Sequence, residues 1–221
     1  PFRTGFDASQ VAISSLGSGP HNPSVHSSRT SPSRSSARVD RSMTGSTVAS
    51  LMKQFAPAIA TARRLIDGYP ESDVALRRSA WAVIANASLD TADYPQAERA
   101  YAQVLELTPD EDASRPAMVE NLAAAIYKQG EQANVAGDHR TAANHFLRVA
   151  QAAPASEIRP LAEHDASAAL IALEDWTGAA DVLESFREKH PEHELQRDAT
   201  KQLAFVRAKE GDQTRAAQEY E

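Results

Sequence analysis

The chain has no cysteine. Disulfides, thiol nucleophiles and thiolate metal sites are therefore excluded, although the compartment is not fixed by this. Aromatics are scarce, at 6% against 42% apolar residues overall, and alanine supplies much of the difference. That composition suits closely packed helices better than a sheet sandwich. No apolar run approaches the roughly 18 residues of a membrane-spanning helix. No secretory hydrophobic region opens the chain. Positive charge is also in deficit: 23 Lys and Arg face 30 Asp and Glu, a net −7. An acidic balance argues against a nucleic-acid partner. The chain starts at Pro1 and stops within a helical pattern at Glu221. It reads as a piece of a longer protein.

The deficit is uneven. Residues 1–50 carry five arginines against Asp7 and Asp40, or +3. The remainder has 18 basic and 28 acidic residues, or −10. The run SVHSSRTSPSRSSARVDRSMTGST holds nine serines and four arginines and has neither helical nor strand period. Such a composition buries too little apolar surface to offset chain entropy. The expected division is a low-complexity Ser/Arg-rich segment over 1–47 and a folded unit over 48–221. The segment is either a disordered linker or propeptide, or a basic arm that docks on the acidic unit. FDASQVAISSL (6–16) is a weak amphipathic turn.

The folded unit is organised around GDHRTAANHFLRVAQAAP (137–154). Glycine then aspartate is a helix stop followed by an N-cap. Ala142, Phe146 and Val149 share one helical face, and Pro154 ends the helix. Ala97, Tyr101, Val104 and Pro109 repeat the pattern, as do Ala179, Leu183, Phe186 and Pro191. Ala58, Ala62, Leu65 and Pro70 match with a small residue at the large position, and Ala216 and Tyr220 begin it again. The prolines lie 39, 45 and 37 residues apart, a period that means stacked helical hairpins. Helices are expected over about 51–68, broken or started at Pro57, then 72–89, 95–107, 117–136, 139–152, 157–173, 177–189, 194–210 and from 213. Trp81, Tyr101, Phe146, Leu183 and Phe186 are expected to be buried between hairpins. Nothing alternates with period two for long, so no strand is expected.

Upstream of each marked helix lies a partner. These are SAWAVIANASL with Trp81 and Ile84, NLAAAIYKQGEQANVAG with Ile126 and Gly130, LAEHDASAALIAL with Leu170, and ATKQLAFVRAKEG with Leu203. Over roughly 57–221 the chain resembles the tetratricopeptide repeat (TPR). Trp81, Gly130, Ala97, Ala142, Phe146 and the three closing prolines stand in that pattern's places. One repeat alone has the tryptophan, and the spacings exceed about 34 residues. The resemblance implies an all-α, right-handed α-solenoid of about four hairpins. It also implies that the first helix of each hairpin lines a concave, partner-binding face.

On that resemblance the binding residues are Asn86 and Asp90, then Tyr127, Lys128, Glu131 and Asn134. His164, Asp165 and Ala168 follow, then Lys201, Gln202 and Phe205. Tyr127 and Phe205 are placed as aromatic anchors. Lys128 and Lys201 would take an acidic group. Asp90, Glu131 and Asp165 would draw a basic segment, for which the chain's own Arg29, Arg34, Arg38 and Arg41 qualify. The carboxylate clamp of chaperone-binding relatives is not supported, because Ala82, Leu161 and Asp165 replace its other members. Turns such as GYPESDVA (68–75) and KHPEHELQ (189–196) resemble bacterial cell-envelope TPR scaffolds. That implies a periplasmic or outer-membrane-associated setting, with a cytoplasmic one as the alternative.

Catalytic chemistry finds no foothold. His190 and His193 in HPEHE lack a third ligand placed by spacing and read as an exposed turn. His139 and His145 read as packed helix residues. His164 and Asp165 are adjacent and diverge on a helix. No serine sits in G-x-S-x-G, and LGSGP (16–20) lacks the lysine and helix of a phosphate loop. Glu111 with Asp112 and Glu174 with Asp175 read as turn caps. The expectation is a non-enzymatic scaffold for a protein or peptide partner. It would have no cofactor or metal, no nucleic acid and no membrane insertion, and its uncapped last hairpin would either fray or pair with another copy. The alternative is a binding arm of a larger enzyme whose catalytic domain lies elsewhere.

Overall fold

Four turns of the chain have the same backbone and explain why the helices pair. At each, a residue in left-handed conformation is followed by an aspartate. The pairs are Ala92–Asp93 (φ 60), Gly137–Asp138 (φ 80), Glu174–Asp175 (φ 57) and Gly211–Asp212 (φ 86). The Asp93 N–H reaches back to the Ser88 carbonyl at 2.8 Å, and Asp138, Asp175 and Asp212 do the same to Ala133, Leu170 and Arg207. This 6→1 closure satisfies carbonyls that a helix end leaves open. Each aspartate side chain then accepts an N–H three residues on, from Gln96, Thr141, Gly178 and Arg215. One device therefore stops one helix and starts the next.

The structure, a computed structural model, describes the backbone of residues 45–219 and the side chains of 55–219. Residues 1–44 of the Ser/Arg-rich segment, with its arginines and the 6–16 turn, and Tyr220 lie outside the described residues; the segment's last three residues, 45–47, open α1. Nine helices form among the described residues, with no strand. They are α1 Gly45–Gly68, α2 Val74–Asp90, α3 Tyr94–Glu106, α4 Arg115–Val135, α5 His139–Ala152, α6 Arg159–Ala172, α7 Trp176–Lys189, α8 Gln196–Lys209 and α9 Gln213–Gln218. Every helix packs on its neighbours in sequence, and α4 also touches α6. The result is the expected all-α stack of TPR-like hairpins: α2–α3, α4–α5, α6–α7 and α8–α9.

The marked positions are the core. Ala97, Tyr101 and Val104, Ala142, Phe146 and Val149, and Ala179, Leu183 and Phe186 are all at most 3% exposed. Removing one of the large side chains among them from water is worth about 1.5–3 kcal/mol. The small residues decide how closely helices approach. A Cβ on Gly130 would stand 2.5 Å from the Phe146 ring, so glycine is required there as long as phenylalanine faces it.

Three expectations need correction. Helix α1 runs unbroken through Pro57, where a break or start was expected. Proline forfeits only one bond, to the carbonyl four residues back, and the turns on either side continue. Trp81 is half-buried rather than enclosed, because α1 and α3 leave a cleft over it. The HPEHE turn is not a free loop. His190 and His193 are half-buried against Phe186, with ring centroids 5.1 and 5.8 Å away. The His190 Nε2 is 2.8 Å from Glu163, which is buried on α6 and also binds Arg159 at 2.9 Å. The His193 Nδ1 accepts the Leu195 N–H. Ser156 and Asp112 accept the same i+2 N–H in the two earlier inter-hairpin turns.

Candidate functional site

The first helices of successive hairpins share a register of 37 residues. Tyr127, His164 and Lys201 occupy one position, and Lys128, Asp165 and Gln202 the next. Glu131, Ala168 and Phe205 occupy a third, one turn further along. The structure shows which of these are exposed and which are buried within the stack.

Tyr127 belongs to the stack. It is buried, its ring centroid lies 5.2 Å from that of Phe146, and its hydroxyl donates to Asp165 at 2.6 Å. Burial pushes the phenol well above its ordinary pKa, and the adjacent Asp165 charge adds to this. The contact one repeat on is equivalent. His164 is buried on α6, and its Nε2 meets the Gln202 amide at 2.9 Å and Asp198 at 3.2 Å on α8. Its Nδ1 stands 3.7 Å from Asp165, beyond hydrogen-bond reach, and has no hydrogen-bond partner. Ser167 donates to the Gln202 carbonyl oxygen at 3.0 Å. Burial opposes a charged His164, but Asp165 and Asp198 together outweigh it and raise the imidazole pKa. His164 and Asp165 therefore diverge: Asp165 meets Tyr127 on α4, and His164 meets Asp198 and Gln202 on α8.

The remaining residues face outward. Asn86 is exposed, and its carbonyl oxygen accepts the Tyr101 hydroxyl at 2.6 Å. Asp90 is exposed, yet enough protein surrounds it to raise its carboxyl pKa by desolvation. Lys128 and Glu131 are half-buried and pair with each other at 2.7 Å. Asn134 is exposed and bonds His139. Lys201 and Ala168 are exposed.

Phe205 stands out, 44% exposed on the face of α8. Its ring meets Trp176 edge-on at 6.1 Å, and the Lys209 ammonium lies 5.4 Å from the Phe205 centroid and 5.9 Å from that of Trp176. A cation over aromatic faces is a favourable contact. Sequence reasoning placed Phe205 but missed Trp176 and Lys209. Lys209 was within reach of it, being one turn (i+4) beyond Phe205. Trp176 was not, because its neighbour lies 29 residues away on another helix.

Among the described residues, no three His, Asp, Glu or Cys side chains converge to hold a metal. No helix there is long and apolar enough to cross a membrane.

No family model matches the chain, and neither does any curated protein. Several solved structures are similar to it at low identity. MamA residues 41–end from Desulfovibrio magneticus RS-1 is 16% identical with a TM-score of 0.38, over 79% of this chain and 88% of that one. A second MamA structure is 13% identical with a TM-score of 0.40, over 80% and 90%. The nearly identical TPR-like repeats of a Podosopora anserina kinesin light chain are 17% identical with a TM-score of 0.36, over 79% and 88%. No residue role follows from likeness at this level.

Proposed function

We propose that the chain is a non-catalytic interaction scaffold whose first-helix face takes a segment of a partner protein. The observation that carries this is Phe205. A large aromatic held 44% exposed, and braced by Trp176 and Lys209, is an anchor with little entropy left to lose on binding. The partner would lay an apolar side chain on Phe205 and a carboxylate near Lys201, four residues before it on the same helix. Its basic groups would face Asp90 and Glu131 upstream, which gives the binding a salt-sensitive part. Tyr127, His164, Asp165 and Gln202 act differently: they fix the spacing of α4, α6 and α8 on which this face depends. The setting we propose is the bacterial envelope, periplasmic or outer-membrane-associated, supported by the wording of the 68–75 and 189–196 turns.

The test compares the native chain with Phe205→Ser plus Lys201→Glu as bait in envelope and cytosolic extracts. Equal helicity of the two baits is checked by circular dichroism. Partners captured by the native chain should be lost by the variant, and should weaken with salt. Partners retained unchanged by a folded variant would remove this face from the function.

A further inference from the structure

A cleft lies away from that face. Between α1 and α3, over α2, a cleft of about 640 Å³ is lined by Arg63, Ile66, Asp67, Trp81 and Arg99 among others. Its volume falls in the range of natural ligand pockets. Trp81 lies five helix positions from Asn86, about 140° around α2, so the cleft opens on the second-helix side of the stack. Trp81 is half-buried here, while Ile126, its counterpart in the next repeat, is fully buried. One wall of the cleft is fixed in place. Ser88, fully buried, accepts the Gln96 amide at 2.6 Å, and the Gln96 carbonyl oxygen in turn accepts a hydrogen bond from the Arg63 guanidinium. Arg63 is thus held against the rim by a chain of bonds anchored in the core. Arg99, exposed on α3, supplies a second cation from another wall. Asp67 is the one carboxylate in the lining. The floor is aromatic and aliphatic, and the rim carries two guanidiniums in a folded unit that is otherwise strongly acidic.

We propose that this cleft binds a protein segment presenting a carboxylate beside a bulky apolar side chain. The carboxylate would be received by Arg63 and Arg99, in the forked geometry that guanidinium offers, and the apolar side chain would lie on Trp81 and Ile66. Gln103, four residues after Arg99 on the same rim, donates to Glu106 at 2.8 Å and keeps its carbonyl oxygen for the N–H of the incoming segment.

The test follows the two indole N–H signals of the 15N-labelled 221-residue chain. Trp81→Phe assigns which is which. Four peptides are titrated: Ac-GLEFEG-amide, its glutamine analogue Ac-GLQFQG-amide, the lysine analogue Ac-GLKFKG-amide, and Ac-GSESEG-amide, which lacks the apolar residues. The acidic-apolar peptide should shift the Trp81 signal and leave Trp176 in place, with the other three binding at least tenfold more weakly. Arg63→Glu with Arg99→Glu should abolish the preference, and so should the milder Arg63→Gln with Arg99→Gln, which guards against loss of fold. Asp67→Asn should not weaken binding. Phe205→Ser with Lys201→Glu should leave the Trp81 response intact, so failure here is distinguishable from failure of the first-helix face. The proposal is overturned if no peptide moves Trp81, if the response is confined to Trp176, or if the neutral peptide binds as well as the acidic one.

Discussion

The Tyr127 hydroxyl donates a 2.6 Å hydrogen bond to Asp165, joining first helices 38 residues apart in sequence. Two substitutions separate the ring's contribution from the hydroxyl's. Tyr127→Phe keeps the packing on Phe146 and loses a bond to a charged group, which should destabilise the chain by about 1.5–3 kcal/mol. Tyr127→Ser also opens a cavity and should cost about 3–5 kcal/mol. Urea unfolding of the two variants checks the order. Equal stability of Tyr127→Phe and the native chain would make the Asp165 bond incidental.

Gly130→Ala sets two effects against each other. Alanine gains about 1 kcal/mol of helix propensity. Its Cβ would meet the Phe146 ring at 2.5 Å, and overpacking of that kind costs about 1–3 kcal/mol. Net destabilisation is expected. Adding Phe146→Leu should relieve it, since the next repeat pairs Ser167 with Leu183 at the same two positions. A thermal midpoint for the double variant above that of Gly130→Ala alone is the result to look for.

Ala92 and Glu174 hold the left-handed turn position that glycine holds at 137 and 211. The conformation costs a non-glycine residue about 1–2 kcal/mol, and glycine's looser unfolded chain gives back about 0.4–1. Ala92→Gly and Glu174→Gly should each stabilise by about 0.5–1 kcal/mol. Gly137→Ala and Gly211→Ala should do the reverse. Loss of stability in Ala92→Gly would contradict the turn argument.

His164 makes the docking of α8 on α6 sensitive to pH. Phe186 faces its ring from α7 at 6.4 Å, Asp198 and Gln202 meet it from α8, and Asp165 stands beside it on α6. Its folded pKa is raised from 6.5. A raised base contributes stability that is fully present below the unfolded pKa and is lost as pH rises through the folded one. Hydrogen exchange in α8 should therefore be slower at mildly acidic pH than above neutrality, after correction for intrinsic rates. His164→Gln should flatten the dependence.

The hairpins were legible because their signals are local. Gly137–Asp138, the closing prolines and the 4-3 spacing around Phe146 each act within one helix or one turn. The same turn at Ala92–Asp93 and Glu174–Asp175 was only half legible, since nothing in alanine or glutamate announces a positive φ. The site was read less well. The first-helix pattern places Tyr127 and Phe205, four positions apart in the repeat register, on one expected face, but exposure depends on what the next helix offers. Phe146 and Asp165 close over Tyr127, while Phe205 meets the edge of Trp176 and the Lys209 ammonium and stays 44% exposed. HPEHE read as solvent because its burial comes from Phe186 and Glu163, neither of which lies within the turn.

Because each helix packs mainly on the next, with α4 against α6 as the main tie beyond that, no helix contact among the described residues joins the first hairpin directly to the last. A tether pulling on both ends would meet no single clasp whose breakage frees the whole. The chain would lengthen by peeling off one hairpin after another from its ends, so that a load shortens the stack while the hairpins still joined keep their faces.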